Sequence, residues 1–277
     1  MDALETALEK GQRFPFYKAS ATTVGGFWHT LFNAAGMPAA GSLTIGNTAN
    51  GLVPDDTWGA GGMPITDFTG IGQGYLGQFY ASGAVAGILR LYDRLFHAGS
   101  FANSTGQTYT LTSQPSFANR LPETNYAGVE MWLEMNAANG SGASTVSANY
   151  TDNLGNTGQV ATQDTAITSF PAGRMTPFRL ATTYQNAGVQ KLESVTVGGT
   201  TGGTATFNVV LLRPLAQIPI GTVALAEEGM QDPLRCGLSR LLHYSSGAPN
   251  GPCLCFMFLP TTTSSGVVTG YLNVIAG

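Results

Sequence analysis

Glu130 and Glu134 flank Trp132, and they are the first residues of this chain whose types and spacing could do chemistry. A carboxylate pair beside an aromatic ring is the equipment of a glycoside hydrolase, which holds its two carboxyls about 5 to 9.5 Å apart. On a strand, at about 3.3 Å per residue, their α-carbons stand roughly 13 Å apart, so only leaning side chains would bring them to working distance. The same acids on an exposed or interfacial face, paired with Arg90, Arg94 or Arg120, need no distortion, and that is the expectation adopted. Cys236, His243, Cys253 and Cys255 could in principle form a zinc tetrad. Their spacings follow no common zinc pattern, and Cys253 and Cys255 share one strand face among Leu, Phe and Met, so buried thiols are expected. His29 and His97 are too scattered to add a metal site. Ser239, in Gly237-Leu238-Ser239-Arg240-Leu241, has half of a nucleophile elbow and lacks its second glycine. Gly70-Ile71-Gly72-Gln73-Gly74 has neither the Lys-Ser/Thr of a phosphate loop nor the dinucleotide spacing. No acid, base, nucleophile or cofactor set assembles, so the sequence reads as a non-enzymatic protein with no catalytic, cofactor-binding or metal residues.

The elements that would position these residues are mostly strands. In Val129 to Met135 the apolar Val129, Met131, Leu133 and Met135 share one face, with Glu130, Trp132 and Glu134 on the other. Val146, Ala148 and Tyr150 alternate with polar neighbours, then Asp152-Asn153-Leu154-Gly155-Asn156 turns the chain into Gln159 to Thr162, which makes a hairpin. Residues 75 to 97 fit either period, and flanking glycines favour a strand. Further strands are expected at Pro177 to Thr182, Val189 to Val197, Thr204 to Leu212, Ile220 to Ala226, Cys253 to Leu259 and Val267 to Ile275. Two short helices are expected. One covers residues 2 to 10, with acids early and Lys10 late. The other starts at Asp232 and Pro233 and buries Leu234, Leu238, Leu241 and Leu242. The fold class is therefore all-β, a jelly-roll-like antiparallel sandwich.

Residues 11 to 74 show no sustained period. They are rich in Gly, Pro and Ala and carry Phe14, Phe16, Tyr17, Phe27, Trp28, Phe32 and Trp58. A loop-rich stretch this long is usually functional, and it reads as an extended arm that wraps its own body or a neighbouring subunit. The domain division that follows is a helix and arm over 1–74 and a sandwich body over 75–277.

Charged residues make up only 10% of the 277, against about 25% in ordinary soluble domains. Gly, Thr, Ser, Asn and Gln replace them, and a neutral polar surface of that kind is expected to meet other subunits. The formal net charge of -4 gives no basic footprint for nucleic acid or anionic membrane. No apolar run approaches the ~20 residues of a membrane span. The opening Met1-Asp2-Ala3-Leu4-Glu5 lacks the basic and apolar regions of a secretory leader, so synthesis in a cytoplasm is expected. There the odd number of cysteines stays reduced, and the sequons at Asn103, Asn139 and Asn149 carry no glycan.

Three segments resemble a group of tailed-bacteriophage virion structural proteins. They are Leu91-Tyr92-Asp93-Arg94-Leu95-Phe96-His97, Val129-Glu130-Met131-Trp132-Leu133-Glu134, and Tyr150-Thr151-Asp152-Asn153-Leu154-Gly155-Asn156-Thr157-Gly158. Gly26-Phe27-Trp28-His29, Gly36-Met37-Pro38 and the late Cys253-Leu254-Cys255 strand are also similar. The resemblance implies a jelly-roll-like capsid decoration or cement protein that binds the major capsid protein in the virion. It further implies a symmetric homo-oligomer, with a trimer favoured, and it transfers no catalytic residue. A tail or baseplate position remains open, as does a carbohydrate-binding module that would stack sugar on Trp28, Trp58 or Trp132.

Overall fold

The computed structural model describes residues 11–55, 61–65, 73–104, 106–121, 126–140, 142–163, 166–181, 188–199, 205–221, 228–231, 239–242 and 251–276. In chain order its strands are β1 (Gln12–Lys18), β2 (His29–Thr30), β3 (Gly36–Met37), β4 (Gln73–Gly83), β5 (Gly87–Ala102), β6 (Gln107–Thr110), β7 (Glu130–Met135) and β8 (Ser144–Asp152). They continue with β9 (Gln159–Gln163), β10 (Met175–Arg179), β11 (Val189–Gly199), β12 (Thr206–Ile220), β13 (Glu228–Gln231), β14 (Ser239–Leu242), β15 (Leu254–Pro260) and β16 (Val268–Ala276). The paired strands run antiparallel, and a 3-10 turn at Ala118–Arg120 is the helical element among the described residues. The chain is thus all-β and sandwich-like, as its alternating segments predict.

Two compact units divide the chain. Unit 1 takes Met1–Gly41, Pro54–Asp93 and Pro214–Gly277; unit 2 takes Ser42–Val53 and Arg94–Arg213. The boundaries fall inside β5 and β12, so each of those strands contributes residues to both.

In unit 1 one sheet has the order β13-β4-β16-β1-β3, with β14 also on β4, and β2-β15-β5 are paired in a second. The two sheets enclose a core in which Phe16 of β1, Phe79 of β4 and Phe256 of β15 meet, the Phe16 and Phe256 rings 4.3 Å apart. In β1, Phe16 and Lys18 point inward while Arg13, Pro15 and Tyr17 are exposed. Pro15 is tolerated because β3 pairs only with Tyr17 and Lys18, leaving no ladder bond for a proline to break. In unit 2 the order is β12-β7-β10-β9-β8-β11-β6, around a separate core that includes Met131, Leu133, Tyr150, Val195 and Phe207.

Several expectations change. Residues 11 to 55 hold three paired strands: β1 lies between β16 and β3, and β2 lies on β15. The strands are too short, and their Gly/Pro links too frequent, to leave a period in the sequence. The helix over residues 2 to 10 lies outside the described residues, as do Asp232 to Leu238 of the second helix. Its end, Ser239 to Leu242, is strand β14, because the ladder to Gln73 through Leu76 of β4 overrides the helical spacing of the leucines. Strand β12 runs to Ile220, well beyond the expected Leu212.

Gly270 of β16 shows how tightly unit 1 is packed. A Cβ there would lie 2.0 Å from the Tyr80 carbonyl oxygen and 2.6 Å from the Phe16 ring. Backbone on one side and a core aromatic on the other leave no room to relax. Gly270→Ala is expected to lower stability by about 2 to 4 kcal/mol, read as a lower urea midpoint with the m-value unchanged.

Candidate functional site

The carboxylate pair is taken up by structure. Strand β7 alternates as predicted, but both of its faces are covered, and Trp132 and Glu134 are buried. Glu134 sits opposite Asn208 of β12 and Met175 of β10. Arg94 of β5 reaches it with both guanidinium ends: Nη1 donates to Oε2 at 2.9 Å and Nη2 to Oε1 at 2.5 Å. Asn208 Nδ2 donates to the same Oε2 at 3.2 Å. Burial pushes Glu134 upward, but the Arg94 charge and these hydrogen bonds outweigh it and hold the carboxyl below its ordinary range. Glu130 accepts the Trp132 indole N–H at 2.7 Å. The expected exposed face for Glu134 is therefore corrected to a buried one. Arg94, named from the sequence as one of three partners, is the one that neutralises it.

His97 completes this cluster. Arg94 Nη1 donates to His97 Nδ1 at 2.8 Å, and since arginine can only donate, the neutral ring carries its proton on Nε2. Burial, and next the Arg94 charge, push its pKa down to about 3. Residues 42 to 53 fasten to the same place. Asn208 Nδ2 donates to the Leu43 carbonyl at 2.7 Å, and Leu52 and His97 exchange backbone hydrogen bonds at 2.9 Å. Gly99 is required beside them, because a Cβ would stand 1.8 Å from Asn208 Oδ1. A fully enclosed cluster of this kind gives a substrate no way in. It positions β5, β7 and β12.

In unit 1, Cys253 and Cys255 are buried free thiols with their sulfurs 3.7 Å apart. Cys236 and His243, the other half of the zinc set, lie outside the described residues. Among the described residues no group of three His, Cys, Asp or Glu could hold a metal. Lys18, unremarked in the sequence, is buried nearby and donates to the Ala34 and Pro38 carbonyls at 3.1 and 2.8 Å. Burial lowers its pKa to about 8, against a small upward pull from Cys255. No sequence signal marks it, because a lysine on a strand normally faces water.

The aromatic residues of the N-terminal segment separate. Phe16 and Phe32 are buried, Phe14 packs against the core of unit 1, Trp28 is half-buried under Arg90 at 4.9 Å, and Tyr17 and Phe27 are exposed. Trp58 lies outside the described residues. A groove of about 240 Å³ in unit 2 is lined by residues that include Phe117, Tyr126, Gln190 and Lys191. Gln114, at its wall, is already hydrogen-bonded to the Leu192 backbone.

Charge is the property that ties these observations together. Lys18, Asp55, Asp93, Arg94, Arg120, Glu134, Asp152, Arg174 and Arg213 are all buried. Arg13, Arg90, Glu130, Arg179, Lys191 and Glu193 are the other Lys, Arg, Asp and Glu among residues with described side chains. Several of these six are engaged too: Arg13 lies over the Tyr271 ring at 4.1 Å, and Glu193 accepts from Thr151 Oγ1 at 2.8 Å.

No family model matches the chain, and no curated protein matches it. Among solved structures it is similar to the VP2 subviral particle of infectious bursal disease virus, at 8% identity and a TM-score of 0.25, over 98% of this chain and 81% of that one. The Gx strain of the same virus gives 8% and 0.21, over 100% and 82%. Likeness at that level carries no weight.

Two outcomes are expected from the buried cluster. Glu134→Gln strands a buried guanidinium and should cost about 3 to 5 kcal/mol, whereas Arg94→Met with Glu134→Leu should recover most of that loss. Native His97 protonates near pH 3 instead of its ordinary 6.5. The unfolded chain therefore takes up a proton that the native state refuses, and stability falls as pH drops below about 6.5, by at most about 1.4 kcal/mol per pH unit. Glu134 adds to the loss only below its ordinary 4.5. Urea unfolding between neutral pH and about pH 5 should show this slope in the wild type and not in His97→Gln.

Proposed function

We propose that this chain is a structural component of a virus particle: a capsid decoration or cement protein that binds the major capsid protein, stabilises the shell and works as a homo-oligomer. The observation that carries this reading is how few charged groups lie on the exterior among the described residues. A lone soluble domain keeps about 25 to 35% of its surface ionised. Here, among the described side chains, nine of the charged groups are inside and six are outside. Such a surface is suited to repeated contact with other subunits, where an unpaired charge would be costly to desolvate.

Further support comes from the all-β sandwich, from the enclosure of the Glu134 carboxylate, and from the segments that resemble tailed-phage virion proteins. The intersubunit role of the N-terminal segment is part of this proposal. Phe14, Phe16 and Phe32 hold it to its own unit, and Tyr17 and Phe27 are its exposed aromatic members among the described residues. The carbohydrate-binding alternative loses two of its anchors, since Trp132 is buried and the Trp28 ring is covered by Arg90.

Mass spectrometry of separated heads and tails tests the proposal. The chain is expected in heads, at a fixed ratio to the major capsid protein, and heads lacking it should release their genome at a lower temperature. Recovery in tails or baseplates alone would move it to the other virion position.

A further inference from the structure

The outer face of the unit 1 sheet formed by β4, β16, β1 and β3 is organised in a way that the packing of its own core does not require. Three cross-strand rows run over it. In the first, Ser82, Thr269, Tyr17 and Met37 lie side by side, with Ser82 and Thr269 hydroxyls 3.4 Å apart and Tyr17 and Met37 at 45% and 49% exposure. In the second, Tyr80 stacks on Tyr271 at 4.9 Å and 16°, and Pro15 follows on β1. In the third, Asn273 Nδ2 donates to Gln78 Oε1 at 2.7 Å, and Arg13 follows. Arg13 leans from this row over the second face of the Tyr271 ring at 4.1 Å.

Among the described side chains, the ten outward positions on these four strands hold one ionised group, where an ordinary surface would hold about three. That one is already stacked on a tyrosine. Its side chains supply both hydrogen-bond donors and acceptors, through hydroxyls and amides, so the face is complementary to itself. Tyr and Arg at the centre of a neutral polar patch are the composition of a protein contact. A sugar platform would need an open ring face, and Tyr271 has Tyr80 on one side and Arg13 on the other. Sheet faces stack on sheet faces at about 10 Å. Over the five residues that the rows span at about 3.3 Å each, four strands about 4.8 Å apart cover on the order of 300 Å² in projection. Upright side chains raise the accessible area towards the ~600 Å² per partner of the smaller specific interfaces.

We infer that this face is where a second copy of the chain docks, sheet on sheet about a two-fold axis. The inference rests on the homo-oligomer part of the function proposed above. It replaces the trimer favoured by the sequence with a dimer, because a face that meets itself closes at two copies.

Sedimentation velocity on the full chain at tens of micromolar tests it. The wild type is expected to be dimeric. Thr269→Arg and Thr269→Asp should each sediment as monomers with far-UV circular dichroism unchanged, and an equal mixture of the two should regain the dimer. Val160→Glu, on an exposed position of unit 2, should leave the dimer intact. A monomeric wild type, or Thr269 variants that stay dimeric, overturns the inference. So does a monomer whose capture by the major capsid protein is lost on Thr269→Arg, since that assigns the face to the shell. A dimer broken by these variants but absent from every particle leaves the inference standing and removes the virion role.

Discussion

A guanidinium and a carboxylate taken out of water must hold each other, and in unit 2 the Arg94–Glu134 pair is the contact around which the strands are set. Its parts come from β5 and β7, with Asn208 of β12 bonded to the same carboxylate. A slip of one residue in β5 or β7 would turn a charge to the wrong face and leave its partner buried alone. The pair therefore selects one register from the many that hydrophobic alternation would allow. It also holds residues 42 to 53 in place, because Asn208 binds Leu43 as well as Glu134.

Charge placed inside is charge missing from the outside. With so few ionised groups in the sequence, and nine of those described enclosed, the described exterior is made largely of amides, hydroxyls and tyrosine edges. The interior polar cluster and the neutral exterior thus follow from one distribution of residues. The first gives unit 2 its geometry, and the second makes the surface cheap to desolvate when another subunit covers it.

Much of the fold was legible in the sequence because it is local. The alternation in Val129 to Met135 gave β7, the turn at Asp152 to Asn156 gave the β8–β9 hairpin, and the flanking glycines correctly favoured strand over helix in residues 75 to 97, where β4 and β5 lie. What was missed depends on distant partners. The two-residue strands β2 and β3 exist only because β15 and β1 lie beside them. Strand β12 continues through Pro214 and Pro219, residues that read as a stop. Nothing in the residue types marks Lys18 or Glu134 as buried, because carbonyls and a guanidinium far along the chain compensate their burial.

The pairing of β1 with β16, which joins Gln12 to Val274, also fixes an order of events during synthesis. The first described strand leaves the ribosome long before its neighbour is made, and the second sheet of unit 1 waits in the same way for β15. Residues 94 to 213, the larger part of unit 2, are complete in the meantime. Unit 1 must close after β16 has been made, over a contact between strands far apart in sequence, which is the slow and aggregation-exposed kind of step. Until then β1 offers a bare edge to any other nascent copy.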